Sequence, residues 1–263
     1  MDTTQILGYV GALVVGLVLG LIGGGGSILT VPLLVYLLGY NPVVATAYSL
    51  FVVGSTSVVG TFQKYKKGMV DLKTGLTFSF PSFISVYLTR RYLVSDIPHH
   101  IFNIGSFEVT KNMLIMVLFG IIMLLASFSM IRKRVNPETG SEKQAYYKTF
   151  IQGVVIGAIT GIIGAGGGFL YVPALVLWAK LPMKKAVGTS LIIVAINSLI
   201  GFIGDVQNLA INWHFLLIFT AISIIGIIIG VSLSKFISSE KLKKSFGYFI
   251  LLMAVYIIYK EIS

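Results

Sequence analysis

Residues 20–34 read GLIGGGGSILTVPLL, and the layout of the chain turns on them. Four consecutive glycines, Gly23, Gly24, Gly25 and Gly26, interrupt an apolar run, and Pro32 follows. A membrane-crossing helix takes about 20 apolar residues, with a range of roughly 17–25. Ile6–Ile22, before the glycines, qualifies. Ile28–Gly39, after them, is too short to cross alone at about 1.5 Å per residue. The pattern is that of a broken helix or a re-entrant hairpin. Residues 161–175, GIIGAGGGFLYVPAL, nearly repeat it: Thr149–Ile163, a little short for a span, leads into Gly164, Gly166, Gly167 and Gly168, and the short run Phe169–Ala179 follows.

The echo extends beyond the glycines. An offset of 141 residues aligns Gly20–Gly60 with Gly161–Gly201 without a gap, and 16 of the 41 positions are identical. Shared hydrophobicity does not explain matched glycines, prolines and serines, among them Gly23/Gly164, Pro32/Pro173, Ser49/Ser190, Ser57/Ser198 and Gly60/Gly201. Internal repeats of this kind are common in secondary transporters.

Composition sets the class. Of 263 residues 56% are hydrophobic and 11% charged, against about 25% charged in a soluble domain. Such a chain cannot cover a water-facing surface, so it is expected in the lipid bilayer. With no cysteine, disulfides, thiolate metal sites and cysteine nucleophiles are excluded. The N-terminal MDTTQILGYV does not resemble a cleaved signal peptide. The net charge of +11 is the mark of basic cytoplasmic loops rather than of a nucleic-acid partner.

The expected fold class is an all-α membrane protein of two inverted-topology repeats, each a glycine-broken re-entrant hairpin plus three transmembrane helices. Repeat one is 1–131, with hairpin 6–39 and helices 43–62, 72–88 and 112–131. A basic cytoplasmic linker, 132–147, precedes repeat two, 148–263, with hairpin 149–179 and helices 185–204, 212–233 and 245–259. The positive-inside rule supports this layout. If each glycine cluster turns a hairpin, 16 of the 20 lysines and arginines share one face, leaving Arg90, Arg91, Lys111 and Lys260 on the other. If each broken segment crosses once, the split is ten and ten. Both termini are then extracytoplasmic. The odd number of crossings per repeat inverts the second copy.

Irregular backbone at membrane depth is tolerated only where protein buries it or a cavity meets it. Consecutive glycine amides can form an anion nest. A helix starting just after adds free N–H groups and a positive dipole end. The short arms start so, at Ser27 and at Gly168. The two helix N-termini are expected to face each other near the midplane and to suit a small anionic substrate. The alternative is plain packing of small residues between helices. Candidate lining residues follow each hairpin: Ser49, Thr56 and Ser57 in the first copy, and Thr189, Ser190, Asn197 and Ser198 in the second. Spacings of seven or eight place such residues on one helix face.

No span carries an ionisable residue in its middle, where ion-coupled carriers usually keep one. Asp71, Asp205, Glu108, His99, His100 and His214 read as solvated groups at span ends or in loops. Adjacent His99 and His100 lack a nearby carboxylate or cysteine partner, so no metal site is expected. Nor is there a nucleophile–base pair, so no catalytic residue and no cofactor is expected. Gly226 and Gly230 have the GxxxG spacing, weak evidence for dimerisation, and the oligomeric state stays open.

The stretch GLIGGGGSILTVPLLVYLLGYNPVVATAYSL and its echo GIIGAGGGFLYVPALVLWAKLPMKKAVGTSL resemble the TauE/SafE group of sulfite exporters, over nearly the whole chain. The resemblance implies a polytopic bacterial inner-membrane carrier for small sulfur-containing anions such as sulfite, sulfoacetate or related sulfonates. The connection TRRYLVSDIPHHIFNIGSFEVTK is longer than the family's usual one and would cap the outer side. The leading expectation is a secondary transporter working by alternating access, with the anion between the glycine hairpins. Transport of a carboxylate, amino acid or other small solute remains open, as does a non-transporting assembly or sensor subunit.

Overall fold

The computed structural model describes residues 3–24, 26–94, 96–98, 100–104, 107–131, 146–164, 166–206, 209–234 and 236–262. Helix α1 (Thr3–Ile22) ends at the first glycine cluster. Helix α2 (Gly26–Pro32) follows and continues into a π-helical turn, Leu33–Leu37. Next come α3 (Pro42–Lys66), α4 (Leu72–Leu88) and a second π-helical turn, Thr89–Val94. Two short antiparallel strands, β1 (His100–Ile104) and β2 (Phe107–Thr110), precede α5 (Lys111–Ile131). Then α6 (Tyr146–Ile163), α7 (Gly168–Leu177), α8 (Met183–Val206), α9 (Trp213–Leu233) and α10 (Ser239–Ile262) complete the chain. Most of the expected basic linker, 132–145, lies outside the described residues.

Local chemistry explains the boundaries. Asn41 caps α3 by accepting from the Val43 amide at 2.9 Å, with Pro42 in the first turn, where its missing N–H costs nothing. Asp71 caps α4 through the Thr74 amide, and Asn212 caps α9 through the Phe215 amide. Both caps satisfy amides that a helix start leaves free. Asp71 is therefore a helix cap rather than a bystander.

Both helix breaks need backbone that only glycine adopts easily. Gly23 has φ +83° and its counterpart Gly164 has φ +66°, left-handed values that cost other residues energy. After the first break the chain runs back along α1. Gly26 packs on Val15 and Leu19, Gly11 on Leu33 and Gly8 on Leu38. The second arm thus descends α1 in antiparallel order.

Contacts between the halves exchange partners under the 141-residue offset. Gly16 meets the Ser223 carbonyl, and Gly157 meets the Ser82 carbonyl. Gly20 meets the Ile227 carbonyl, and Gly161 meets that of Val86. Gly60 packs on Ile227 and Leu191, and Gly201 on Val86 and Leu50. In each pair both members have moved by 141 residues in opposite senses. The same relation holds for whole helices: α1 lies on α9 as α6 lies on α4, and α3 crosses α8.

Gly226 and Gly230 meet the backbone of Leu13 and Leu17 on α1. Their spacing serves a contact inside the chain. Small residues let two membrane helices approach to backbone contact.

Apolar side chains fill the interior and also cover the outside of the helices. Phe62, Leu125, Phe128, Ile225 and Leu252 are exposed on helix faces, an apolar surface suited to lipid. Among the described residues five helices are long and apolar enough to cross a membrane: Gln5–Ile22, Pro42–Lys66, Lys111–Phe128, Met183–Val206 and Trp213–Leu233. The chain is an all-α membrane protein with one small hairpin of strands outside its helices. Burial singles out the middle pair, at 67% for α3 and 72% for α8 against 39% for α1. The candidate polar residues all sit on or beside these two helices.

Candidate functional site

The two glycine breaks touch. A methyl group on Gly24 would collide with the backbone of Gly168, and one on Gly168 would collide with the Gly24 Cα. Each break also rests on the opposite central helix. Gly23 abuts Val187 of α8, and Gly164 abuts Thr46 of α3. Val187 and Thr46 are themselves 141 residues apart. Gly25 lies outside the described residues, as does the side chain of Ser27.

The second break opens directly into a helix. Gly167, at φ +68°, is the N-cap of α7, and its carbonyl accepts from the Leu170 and Tyr171 amides at 2.9 and 3.0 Å. The Gly168 and Phe169 amides precede these first bonds and have no partner within a helix. Ser198 Oγ sits beside this turn, 2.6 Å from where a Cβ on Gly166 would lie. That hydroxyl is fully buried and has no hydrogen-bond partner among the described residues.

Ser198 is one of several. Ser49 Oγ, Thr56 Oγ1, Ser57 Oγ and Asn197 Oδ1 are also buried without a partner among the described residues. Buried polar atoms in folded proteins are almost always satisfied. An orphan costs about 1–3 kcal/mol. Among the described residues the other orphaned side-chain atoms belong to Thr61, Gln63 and Gln152. The set therefore concentrates on the rows of α3 and α8 that the repeat marks as equivalent.

Other candidates are committed to the fold. Ser190 Oγ donates to the Gly23 carbonyl at 2.7 Å, tying the first break to α8. Thr189 Oγ1 accepts from the Asp71 amide at 2.9 Å and so holds the α3–α4 connection. Asn197 Nδ2 donates to Tyr171 Oη at 2.6 Å and to Ser82 Oγ at 2.8 Å. Tyr171 and Ser82 also bond to each other. This cluster joins α4, α7 and α8 one turn from the second break. Tyr171 and Ser82 were not among the residues expected from sequence. The only prior sign of Tyr171 was a polar atom inside the apolar arm GGGFLYVPAL.

Two residues overturn an expectation. Asp205 is 5% exposed and Arg90 is wholly buried, not solvated at a span end. Arg90 Nε donates to Asp205 Oδ2 at 2.8 Å and its Nη2 pairs with the same oxygen. Nη1 and Nη2 both reach Thr46 Oγ1 at 3.2 Å, and Nη1 reaches the Gly161 carbonyl at 3.3 Å. The cause is the π-helical turn Thr89–Val94 after α4. It carries the chain past the span end and turns Arg90 inward, while Tyr92 and Leu93 stay exposed. Neither partner could survive there alone, because a lone buried charge is costly. The repeat held a clue: the offset places Asp205 over Lys64, so equivalent positions carry opposite charges.

The remaining titratable candidates stand apart from this centre. His100 and Glu108 are exposed, 4.0 Å apart across the β1–β2 hairpin, and His214 is exposed at the start of α9. His99 lies outside the described residues. Among the described residues no group of three or more His, Cys, Asp or Glu is placed to hold a metal.

Comparison with known proteins places the chain among membrane transporters. The family described as "Sulfite exporter TauE/SafE" matches residues 9–257. A "Probable membrane transporter protein" of Xylella fastidiosa (strain Temecula1) is 30% identical, covering 94% of this chain and 92% of that protein. The "Probable membrane transporter protein YunE" of Bacillus subtilis (strain 168) is 29% identical over 95% of this chain and 96% of its own length. The "Probable membrane transporter protein MJ0441" of Methanocaldococcus jannaschii is 28% identical over 73% of this chain and 70% of its own. No solved structure matches. With its full-length family match, its apolar exterior and its spanning helices, the chain belongs to the TauE/SafE sulfite exporter family of membrane transporters.

Proposed function

We propose that this protein carries small sulfur-containing anions, sulfite or a sulfonate such as sulfoacetate, across a bacterial inner membrane by alternating access. The observation that carries the reading is the set of buried, unpartnered side-chain oxygens on α3 and α8, the two helices against which the touching glycine breaks pack. Ser49, Thr56, Ser57 and Ser198 each offer a hydroxyl with no partner. The Gly168 and Phe169 amides open α7 beside Ser198, where the helix dipole favours negative charge. Turning the Asn197 amide over is consistent with its surroundings. Its oxygen would then accept from Tyr171 and its N–H groups would face the unpartnered side. An oxyanion accepts from all of these donors and needs no fixed cation among them, so it can leave again.

The motion follows from the exchanged contacts. Two equivalent halves packed about α3 and α8 can exist in two arrangements related by that exchange, each opening one end. We take the arms at 6–39 and 149–179 as re-entrant from opposite faces, and the repeats as inverted. The charge asymmetry of 16 against four then puts both termini outside. The glycine turns with positive φ are where backbone can approach a ligand closely.

The test is uptake of radiolabelled sulfite into proteoliposomes containing the purified protein. Saturable uptake that unlabelled sulfoacetate competes away supports the reading. Uptake no faster than in empty liposomes, with flux of acetate or an amino acid instead, would replace the substrate class.

A further inference from the structure

We infer that Lys64 is the cation of a separate small-oxyanion site at the end of the molecule opposite the Arg90–Asp205 pair. The inference rests on the transport reading and adds a binding position away from the glycine breaks.

Lys64 lies in the last turn of α3 and is 3% exposed. Among the described residues its ammonium reaches one hydrogen-bond partner, Ser234 Oγ, at 3.5 Å, longer than an ordinary bond of about 2.7–3.2 Å. The Ser234 hydroxyl already donates to the Val231 carbonyl at 2.8 Å. The ion pairs among the described residues are Arg90–Asp205, His100–Glu108 and Lys244–Glu240, so no carboxylate there neutralises Lys64. Lys67 and Lys184 lie close enough to add positive field to it. The carbonyls ending α3 favour a cation, but they offset only part of what burial of a charge costs.

The opposite end shows what completes such a position. The 141-residue offset puts Asp205 where Lys64 stands, and Arg90 where Val231 stands. At that end Arg90 is paired within the chain, with Asp205 as its counter-charge and Thr46 as a further partner, and the buried Lys111 lies near enough to feel both charges. Among the described residues the Lys64 end has no ion-pair partner for its charge, and every neighbouring charge named above has the same sign. A small anion supplies that partner. An ammonium is a compact point charge with rotatable donors, suited to one oxygen of a sulfite, sulfate or sulfonate group. Lys184, whose charge acts on Lys64, is three residues before Val187, against which Gly23 packs, so one helical turn of α8 separates Lys184 from the residue at the first glycine break.

The experiment follows thermal unfolding of the detergent-solubilised protein against sulfite, sulfate and methanesulfonate, for the wild type, Lys64→Met and Lys64→Arg. A ligand that prefers the folded state raises the midpoint by mass action. The expected result is stabilisation of the wild type by at least one of the three, with the half-saturating concentration raised about tenfold or more in Lys64→Met and far less in Lys64→Arg. Without anion, Lys64→Met should hold or raise the midpoint, because it removes an unneutralised buried charge. An unchanged half-saturating concentration in Lys64→Met overturns the site, as does a wild type that none of the three anions stabilises. Sulfite flux by the wild type in proteoliposomes is measured beside it. Flux with unchanged Lys64→Met binding rejects the Lys64 site and leaves the transport reading standing. Binding lost in Lys64→Met with no wild-type flux keeps the site and rejects transport.

Discussion

On the side of the first glycine break, polar groups of α2, α8 and α9 are tied down. Ser190 holds the Gly23 carbonyl, Thr30 bonds back to Gly26, and Ser223 bonds to Ala12. Around the second break the counterparts of the same positions behave differently. Ser49, 141 residues before Ser190, has no hydrogen-bond partner among the described residues. Tyr171 stands at the position of Thr30 and Ser82 at that of Ser223, and the two join Asn197 in one cluster. The ends differ too, with Arg90–Asp205 at one and Lys64 at the other. Equivalent backbones have thus been given different chemistry. One half anchors its break with side-chain bonds, whereas the other surrounds its break with a polar cluster and open hydroxyls. A cycle that exchanges the arrangements of two halves needs such inequality if one state is to rest more stably than the other.

The comparison can be broken at its charged ends first. Asp205→Ala removes the carboxylate paired with the buried guanidinium of Arg90, whose other bonds include Thr46 and the Gly161 carbonyl. It should destabilise the protein by about 3–5 kcal/mol, read as reversible unfolding in mixed micelles, whereas Lys64→Met should be neutral or stabilising. Equal losses from both would mean that Lys64 has an internal counter-charge. Next in size is the contact between the breaks. Gly168→Ala drives a methyl into the Gly24 backbone, and overpacking of this kind costs about 1–3 kcal/mol or more. Survival of both stability and flux would show that the breaks separate easily.

Smaller effects sharpen the contrast between equivalent serines. Ser190→Ala strands the Gly23 carbonyl and should cost about 1–2 kcal/mol. Ser49→Ala removes a buried orphaned hydroxyl and should leave the stability level or raise it by about 1 kcal/mol. Matching losses would erase the difference between the halves. Smallest in stability is Thr56→Val, which discards another orphan at roughly constant volume. Its midpoint should stay level or rise while sulfite flux falls.

Much of this arrangement was legible from residues alone because its physics is local. A run of glycines followed by proline interrupts a helix wherever it stands, and both breaks are where that pattern put them. The rows Ser49, Thr56, Ser57 and Asn197, Ser198 follow from helical periodicity, and all are buried. The Arg90–Asp205 pair was hidden because its cause is not local. A π-helical turn sets the direction of Arg90, and its partner is 115 residues away. Adjacent Arg90 and Arg91 read alike in sequence, yet only Arg90 is fully buried. Tyr171 was hidden by the apolar arm that carries it, and Gly226 and Gly230 by a spacing equally suited to another chain or to α1. The strand pair at 100–110 lies in a connection too short and mixed in composition to announce it.

The central claim is that the unpartnered hydroxyls beside the touching glycine breaks hold the transported anion. The direct measurement is initial uptake of radiolabelled sulfite by proteoliposomes carrying the wild type or the double variant Thr56→Val/Ser198→Ala, each checked for an unchanged unfolding midpoint. Neither side chain supports the fold through a hydrogen bond, so a structural role predicts no effect. The account predicts at least about a tenfold fall in kcat/KM, the loss of two donors to a charged ligand. Unchanged uptake at unchanged stability would contradict it.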